Sequence, residues 1–195
     1  GIGFDASNYG YAVVEKSDMV FIPDPDTAVI DPFCSIPTLS MTGNAMIIDN
    51  PQNRPLAQYP RNIVLAAEKY MADCGVADTM LILPEFEFYL FDQVGWNVSA
   101  DNVSASVDAK QSYWNSAVAD DGVIVPKQKN YHIAKPFDVT YECRSEMVMH
   151  MLDAGIDINY HHPEVAASGQ FEIEPQLGEM VKMADATMMI KYIIH

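Results

Sequence analysis

The sequence predicts an α+β protein, with a small antiparallel sheet at the N-terminus followed by a larger part in which strands are backed by helices. Three observations carry this prediction. Short β-prone segments alternate with Asp and Pro turns over residues 1–33, three later segments space their apolar residues helically, and the βαβ regularity and Gly-rich turn of dinucleotide-binding folds are missing. The 195 residues, 49% of them hydrophobic, can build a sizeable core.

The N-terminal part is predicted from short β-prone segments and the turns between them. These segments are Tyr9 to Val14, Val20 to Ile22, Ala28 to Ile30 and Met46 to Asp49. The polar connector Asn50 to Pro55 is the best candidate boundary after them. We therefore expect two domains, residues 1–50 and residues 51–195.

The second part begins with a helix that opens at Pro60 and ends before Gly75, a typical C-terminal capping residue. Its helical spacing comes from Ile63, Ala66, Ala67, Tyr70 and Met71. Thr79 to Phe91 is rich in Leu, Ile, Phe and Tyr, which predicts one long strand.

The remaining elements are predicted with weaker periodicity. Residues 93–130 are rich in Asn, Ser, Asp and Ala, so we expect a long ordered or functional loop. Two helices are expected, from Cys143 to Ala154 and from Glu179 onward, and two strands, Ile156 to Tyr160 and Phe171 to Ile173. The chain begins with Gly and ends in an apolar helical run, so we expect a fragment of a longer protein that tends to associate through this run.

The charge balance excludes some classes of partner. Lys and Arg total 11 against 27 Asp and Glu, a formal net charge of −16. Such a surface repels phosphate backbones and anionic headgroups, so we expect neither a nucleic-acid nor a membrane partner, and bound cations would relieve the self-repulsion. The three cysteines lack CxxC spacing, so we expect them reduced and mostly buried in a cytoplasmic protein.

The first acidic motif is Pro84-Glu85-Phe86-Glu87-Phe88, which places two carboxylates two positions apart in an apolar strand. Positions i and i+2 of a strand face the same side about 6.6 Å apart, so Glu85 and Glu87 would project together. This spacing suits two neighbouring metal ions or an acid pair. An ordinary strand with its polar face in water is the alternative.

The second acidic motif runs from His161 to Glu172. Fully extended, Glu164 and Glu172 would lie about 26 Å apart, but the small residues and Gly169 between them let the chain double back. Oxygen ligands without paired thiolates favour Mg²⁺ or Mn²⁺. A solvated polar loop and a zinc site that uses histidine are the alternatives. Convergence of all four glutamates would imply a metal, because close carboxylates repel by several kcal/mol.

Several further segments recur with these motifs, in order, over essentially the whole chain. They are Phe4-Asp5-Ala6-Ser7-Asn8, Glu15 to Met19 with Pro23-Asp24, Tyr59-Pro60-Arg61, Ala67 to Tyr70, Phe91-Asp92, Met180 to Asp185 and Lys191-Tyr192. Together with Pro84 to Phe88 and His161 to Glu172, they resemble the bacterial type I glutamine synthetase family. His161 to Glu172 is the most specific match, being similar to the family's His-His-Glu-Val-Ala-x-x-Gly-Gln-x-Glu. The resemblance implies a partial β-grasp-like sheet, then part of the family's catalytic domain, a curved antiparallel sheet backed by helices.

The resemblance also implies roles for single residues. Glu87, Glu164 and Glu172 would hold the metal nearer to glutamate, and Glu85 would help to hold the metal between the nucleotide phosphates. His162 would lie near the nucleotide. Asp5 would take a proton from ammonium at the site of a neighbouring subunit, so a full family member would form a homo-oligomeric ring.

The implied activity is ATP-dependent formation of glutamine from glutamate and ammonia through a γ-glutamyl phosphate, with Mg²⁺ or Mn²⁺. Ala6 and Asn8 replace Gly and Ser around Asp5, Phe86 replaces a common Pro, and Pro163 departs from the usual pattern. A γ-glutamyl-amine ligase and a non-catalytic metal-binding relative therefore stay open. We expect the 195-residue chain alone to be inactive, because few basic residues lie near its motifs, and we expect Arg144 to be structural.

Overall fold

A computed structural model of the chain describes residues 1–115, 119 and 122–195. Its helices and strands, in chain order, are β1 (Ile2–Asp5), β2 (Asp18–Pro23), β3 (Val29–Ile30), β4 (Leu39–Ser40), β5 (Gly43–Ile47), β6 (Arg54–Pro55), α1 (Pro60–Asp73), β7 (Leu81–Ile82), β8 (Phe86–Tyr89), β9 (Gln93–Val98), β10 (Val103–Asp108), α2 (Tyr141–Asp153), β11 (Ile158–Pro163), β12 (Gln170–Pro175), β13 (Gly178–Glu179) and α3 (Met180–Ile194). Antiparallel strand pairs and helices occur together, so the α+β prediction is confirmed.

The chain forms two compact units. The first contains Gly1–Leu83, Asp153–Gly155 and Leu177–His195, and the second contains Pro84–Leu152 and Ile156–Gln176. Within the described residues, no helix is both long and apolar enough to cross a bilayer.

The first unit is built on a four-stranded antiparallel sheet in the order β1-β2-β5-β6. A small apolar core lies against it, formed by Ala6, Met19, Ala45 and Leu56. The buried amide of Asn62 on α1 donates to the carbonyl oxygens of Ala45 and Leu56, at 2.7 and 3.0 Å. This side chain therefore satisfies backbone acceptors where the sheet meets the helix.

Helix α1 begins at Pro60, as predicted. The N–H groups in the first turn of a helix have no acceptor within the helix, so the N–H that proline lacks costs no hydrogen bond there. It ends before Gly75, whose φ of +65° is left-handed. Arg61 on α1 donates to Asp185 on α3 and to Asp24, so one guanidinium ties the two helices to the segment after β2. The predicted apolar stripe of α1 stays largely exposed, with Ile63 at 52% and Tyr70 at 71%.

The second unit contains a three-stranded antiparallel sheet in the order β11-β12-β8. Every residue of the central strand β12 is buried. On α2 the fully buried Arg144 places its guanidinium 4.4 Å from the ring centre of Phe171 on β12. The helix therefore contacts the sheet through a cation–π interaction.

Strands β9 and β10 form an antiparallel hairpin in the second unit. The register sets Val94, Trp96 and Val98 opposite Val107, Ala105 and Val103. Directly opposite residues share a face, so one face of the hairpin is apolar and the other carries mainly Gln, Asn, Ser and Asp. Trp96 is 77% exposed.

Four expectations about local structure are wrong. Tyr9 to Val14 is not a strand, because a short helix (Ala6–Tyr9) and a left-handed Gly10 turn the chain there. The long strand predicted over Thr79 to Phe91 is interrupted between β7 and β8, where Pro84 lacks an N–H for the ladder. All three cysteines are exposed rather than buried.

The fourth is the loop expected over residues 93–130, since the β9–β10 hairpin occupies its first part. Residues 116–118, 120 and 121 of that stretch lie outside the described residues.

Candidate metal centre

One face of β12 carries two of the acidic residues of the second unit. Side chains alternate along a strand, so Gln170, Glu172 and Glu174 share a face, while Phe171 and Ile173 point to the other. In the register of the sheet, Glu172 lies opposite His162 on β11 and Glu87 on β8. The central strand therefore supplies one carboxylate between two polar neighbours.

Two groups of metal-capable side chains meet at Glu172. His162, Glu164 and Glu172 bring their ligand atoms within 4.8 Å of one another, and so do Glu85, Glu172 and Glu174. His162 Nδ1 lies 3.6 Å from Glu164 Oε1, and its Nε2 lies 3.7 Å from Glu172 Oε2. Glu164, Glu172 and Glu174 are buried, and Glu85 is exposed.

Glu164 reaches this locus because the chain folds back between β11 and β12. The backbone N–H of Glu164 donates to the Gln170 carbonyl at 2.8 Å, and the buried amide of Asn130 donates to the carbonyls of both residues at 3.0 Å. Gly169 has φ +91°, and a Cβ there would lie 2.6 Å from the Leu90 carbonyl oxygen. Only glycine allows this close approach, which supports the expected doubling back.

The other carboxylates are oriented by hydrogen bonds from neighbouring strands. Gln170 Nε2 donates to Glu87 Oε2 at 2.7 Å. The phenol of Tyr160 and the amide of Asn159 donate to the two carboxylate oxygens of Glu174. Neutral donors therefore hold two of the acids without neutralising their charge.

The electrostatics of the cluster favour a cation. Burial raises the pKa of Glu172, and the nearby charges of Glu85 and Glu164 raise it further. The hydrogen bond to Glu174, with burial, raises the pKa of Tyr160 to about 12, so this phenol stays protonated and donates at neutral pH. The four carboxylates are hard oxygen donors of the kind that Mg²⁺ and Mn²⁺ prefer, and the His162 imidazole adds a softer nitrogen donor, so the residues present fit such an ion.

An aromatic column lies beside His162. The His132 ring stacks on the His162 ring with centroids 4.3 Å apart, and the Tyr160 ring also stacks against His162, at 5.7 Å. Tyr131 meets His162 edge to face. His132 itself has φ +53°, an uncommon conformation for a side chain of its size, and its N–H donates to the Pro163 carbonyl. These contacts restrict the orientation of the His162 imidazole.

Asp5 belongs to the first unit, at the end of β1. Its carboxylate accepts from the hydroxyl and the backbone N–H of Ser7, at 2.7 and 2.9 Å, and caps the short helix that follows. These hydrogen bonds lower the pKa of Asp5, so it is ionised at neutral pH. Ala6 beside it is fully buried.

The structure thus gathers Glu85, Glu164, Glu172 and His162 at one locus, with Glu87 across the register from Glu172. Sequence reasoning missed Glu174, although its spacing two positions after Glu172 on a strand was a usable signal. It also missed the hydrogen bonds of Asn130 and Gln170 and the stacking of His132. Those depend on contacts between distant segments.

Comparisons with known protein families assign both parts of the chain. Residues 1–47 match the family model described as glutamine synthetase, beta-Grasp domain, and residues 57–195 match glutamine synthetase, catalytic domain. The expected order of a β-grasp sheet followed by part of a catalytic domain is confirmed.

Curated relatives and solved structures are similar over the whole chain. Glutamine synthetase of Aquifex aeolicus (strain VF5) is 37% identical over 195 residues, covering 100% of this chain and 41% of that protein. The 3-hydroxylaminophenol mutase of Cupriavidus pinatubonensis is 35% identical, covering 100% and 42%. A cryo-EM structure of Plasmodium falciparum glutamine synthetase has a TM-score of 0.85 at 24% identity, covering 100% and 38%, and supports the fold. The chain spans about two fifths of the length of these proteins.

Proposed function

Because this chain belongs to the glutamine synthetase family, we propose that its second unit binds divalent cations for an ATP-dependent ligase that joins ammonia to glutamate. The observation that carries the proposal is the convergence at Glu172. Two sets of three ligand atoms within 4.8 Å share this buried carboxylate. A cluster that shares one ligand between two sets suits two neighbouring ions.

The proposed ligands divide between two positions. Glu87, Glu164 and Glu172 hold the metal nearer to glutamate, and Glu85 contributes to the metal between the nucleotide phosphates. His162 lies near the nucleotide, with its ring fixed by His132 and Tyr160. When bound, Mg²⁺ or Mn²⁺ would neutralise phosphate charge and orient the reacting oxygens.

The proposed reaction has two stages. The γ-phosphoryl group of ATP passes to the side-chain carboxylate of glutamate, and ammonia then displaces phosphate from the γ-glutamyl phosphate to give glutamine. Each of the three arginines of the chain is already paired with aspartate, Arg54 with Asp49, Arg61 with Asp24 and Asp185, and Arg144 with Asp138. Metal would therefore meet phosphate charge at this cluster in place of these paired arginines.

Asp5 is proposed to serve the ammonium site of a neighbouring subunit in a homo-oligomeric ring. Its lowered pKa supports the charge that would attract ammonium, because the carboxylate stays ionised over the neutral range. The same lowering makes it a weak base. Holding a cation is thus the larger part of its proposed role.

Metal binding tests the first part of the proposal. Mn²⁺ is titrated into the metal-free chain, and the free ion is followed by electron paramagnetic resonance. We expect saturable binding of one or two ions, lost in Glu172→Gln and kept in Glu146→Gln, an exposed acid on α2. Absence of saturable Mn²⁺ binding to the unaltered chain would contradict the proposal.

Product formation tests the rest. We propose that the 195-residue chain alone makes no glutamine from ATP, glutamate and ammonium, because it spans 41% of its Aquifex relative and its arginines are paired. Glutamine formation by this chain would overturn that statement. A panel of primary amines, given to an active longer form, separates a glutamine synthetase from a γ-glutamyl-amine ligase.

A further inference from the structure

We propose that Gln170 is a positioning residue for the metal centre, because its side-chain amide fixes Glu87 and the loop that carries Glu164 at the same time. This inference rests on the proposed function, since it concerns the same cluster. It adds a residue that is itself no metal ligand. The role is to orient one carboxylate on β8 and one in the loop between β11 and β12 before any ion arrives.

Each end of the Gln170 amide has its own partner. Its Oε1 accepts from the Ala166 N–H at 2.7 Å, inside the loop between β11 and β12. Its Nε2 donates to Glu87 Oε2 at 2.7 Å, on β8. One planar group therefore connects the loop to the neighbouring strand, and the orientation of one partner depends on that of the other.

The backbone of Gln170 anchors this amide. Its carbonyl accepts from the Glu164 N–H and from the Asn130 amide, and its N–H donates to Ala167. The residue is 8% exposed, so the side chain has little room to leave its partners. Glu87, in contrast, is exposed. Among the described residues, its carboxylate accepts a hydrogen bond from the Gln170 amide. Without it, Glu87 would sample several rotamers.

Glutamine is suited to this position because both a donor and an acceptor are needed. A glutamate would keep an acceptor for Ala166 but would set a second negative charge against Glu87. A methionine keeps the length and loses both hydrogen bonds. Residues that orient metal ligands in this way typically change metal affinity ten- to a hundredfold when replaced.

A double-mutant cycle tests whether Gln170 acts through Glu87. The dissociation constant for Mn²⁺ is measured for the unaltered chain, Gln170→Met, Glu87→Gln and the double variant. We expect Gln170→Met to weaken binding at least tenfold in the unaltered background and less than threefold when Glu87 is already replaced. Equal weakening in both backgrounds, or none in either, would overturn the proposal.

A second measurement is made without metal. It uses a variant of Glu87, whose side chain is exposed, so that the fold is little disturbed. Hydrogen exchange of the glutamine side-chain amides is followed by NMR in the metal-free chain, with the exposed Gln52 as an internal control. We expect the Gln170 amide to exchange at least tenfold more slowly than that of Gln52, and Glu87→Ala to remove most of this difference. Equal rates at Gln170 with and without Glu87 would overturn the proposal.

The two measurements also separate this inference from the proposed function. If the unaltered chain binds no Mn²⁺, the proposed function fails, and the exchange experiment still decides whether Gln170 holds Glu87. If Mn²⁺ binds but neither measurement couples Gln170 to Glu87, the proposed function stands and this inference fails.

Discussion

The guanidinium of Arg144 donates to both carboxylate oxygens of Asp138, and the two side chains are only 1% and 3% exposed. The same guanidinium also donates to His161 Nδ1 at 3.2 Å and to the Thr140 hydroxyl at 2.6 Å. This buried pair lies between α2 and the segment that precedes it, in the unit that carries the acidic cluster. It supports the structural role expected for Arg144.

Replacing Arg144 should strongly destabilise the second unit. Arg144→Met leaves the Asp138 carboxylate buried without its partner, which typically lowers the free energy of unfolding by about 3–5 kcal/mol. Urea denaturation measures the change. Arg54→Met, which removes a pair whose side chains are 61% and 53% exposed, should cost about 0–1 kcal/mol. Similar losses for the two variants would contradict the buried geometry.

The Arg61 pair should make the first unit sensitive to acid. The hydrogen bond from Arg61 lowers the pKa of Asp24 below 3.8, so the unfolded chain binds protons more readily than the folded one as the pH falls. The stability from this pair is complete above the unfolded pKa and is lost as the pH falls through the folded pKa. We expect the difference in unfolding free energy between the unaltered chain and Arg61→Met to be largest near neutral pH and to shrink below about pH 4. A difference that grows with acid would contradict this.

Glu172→Gln should have opposite effects with and without metal. In the metal-free chain it removes a buried charge that Glu85 and Glu164 repel, so we expect unchanged or slightly greater stability, within about 1 kcal/mol. Mn²⁺ at a hundred times its dissociation constant should add about 2.7 kcal/mol to the unaltered chain and little to the variant. Thermal denaturation with and without Mn²⁺ checks both. Equal stabilisation of the two proteins by Mn²⁺ would place the ion elsewhere.

Gly169→Ala should cost more than the same change at another left-handed glycine. At Gly75 nothing lies within 4 Å of an added Cβ, so Gly75→Ala should cost about 1–2 kcal/mol of backbone strain. At Gly169 the Leu90 carbonyl lies 2.6 Å from that Cβ, so steric displacement adds to the strain and we expect about 2–4 kcal/mol. Urea denaturation of both variants compares them. Equal losses of unfolding free energy in the two variants would show that the loop moves away from the added methyl group at no steric cost.

Local chemistry made some elements predictable. Pro60 and Gly75 bracket α1, and both act through their own backbone, so the sequence predicts the helix limits closely. Glu172 was found because it ends the motif that begins at His161, in which small residues and Gly169 let the chain double back towards Glu164. Glu174 lies two positions after Glu172, but a glutamate at the exposed end of a strand would show the same spacing as a buried one. Its burial comes from the pairing of β12 with strands on both sides.

Other parts could not be predicted because they depend on distant partners or on competing signals. Asn130 donates to carbonyls 34 and 40 positions away, and nothing in its own neighbourhood marks it. The hairpin has clear alternation at Val94, Trp96 and Val98, but the Asn- and Ser-rich composition around it favoured a loop. In this segment the alternation of apolar residues indicated the observed structure, and the composition did not.

The β9–β10 hairpin also shows how much depends on a short turn. Ser99 N–H donates to the Asn102 carbonyl at 2.9 Å, and this closed bend fixes which residues of the two strands meet. If one strand slid by a single position, Trp96 would face a serine, and water-repelling and water-attracting groups would be mixed on both sides of the ribbon. The four residues of the turn thus keep the hydrophobic face of this hairpin separate from its hydrophilic face.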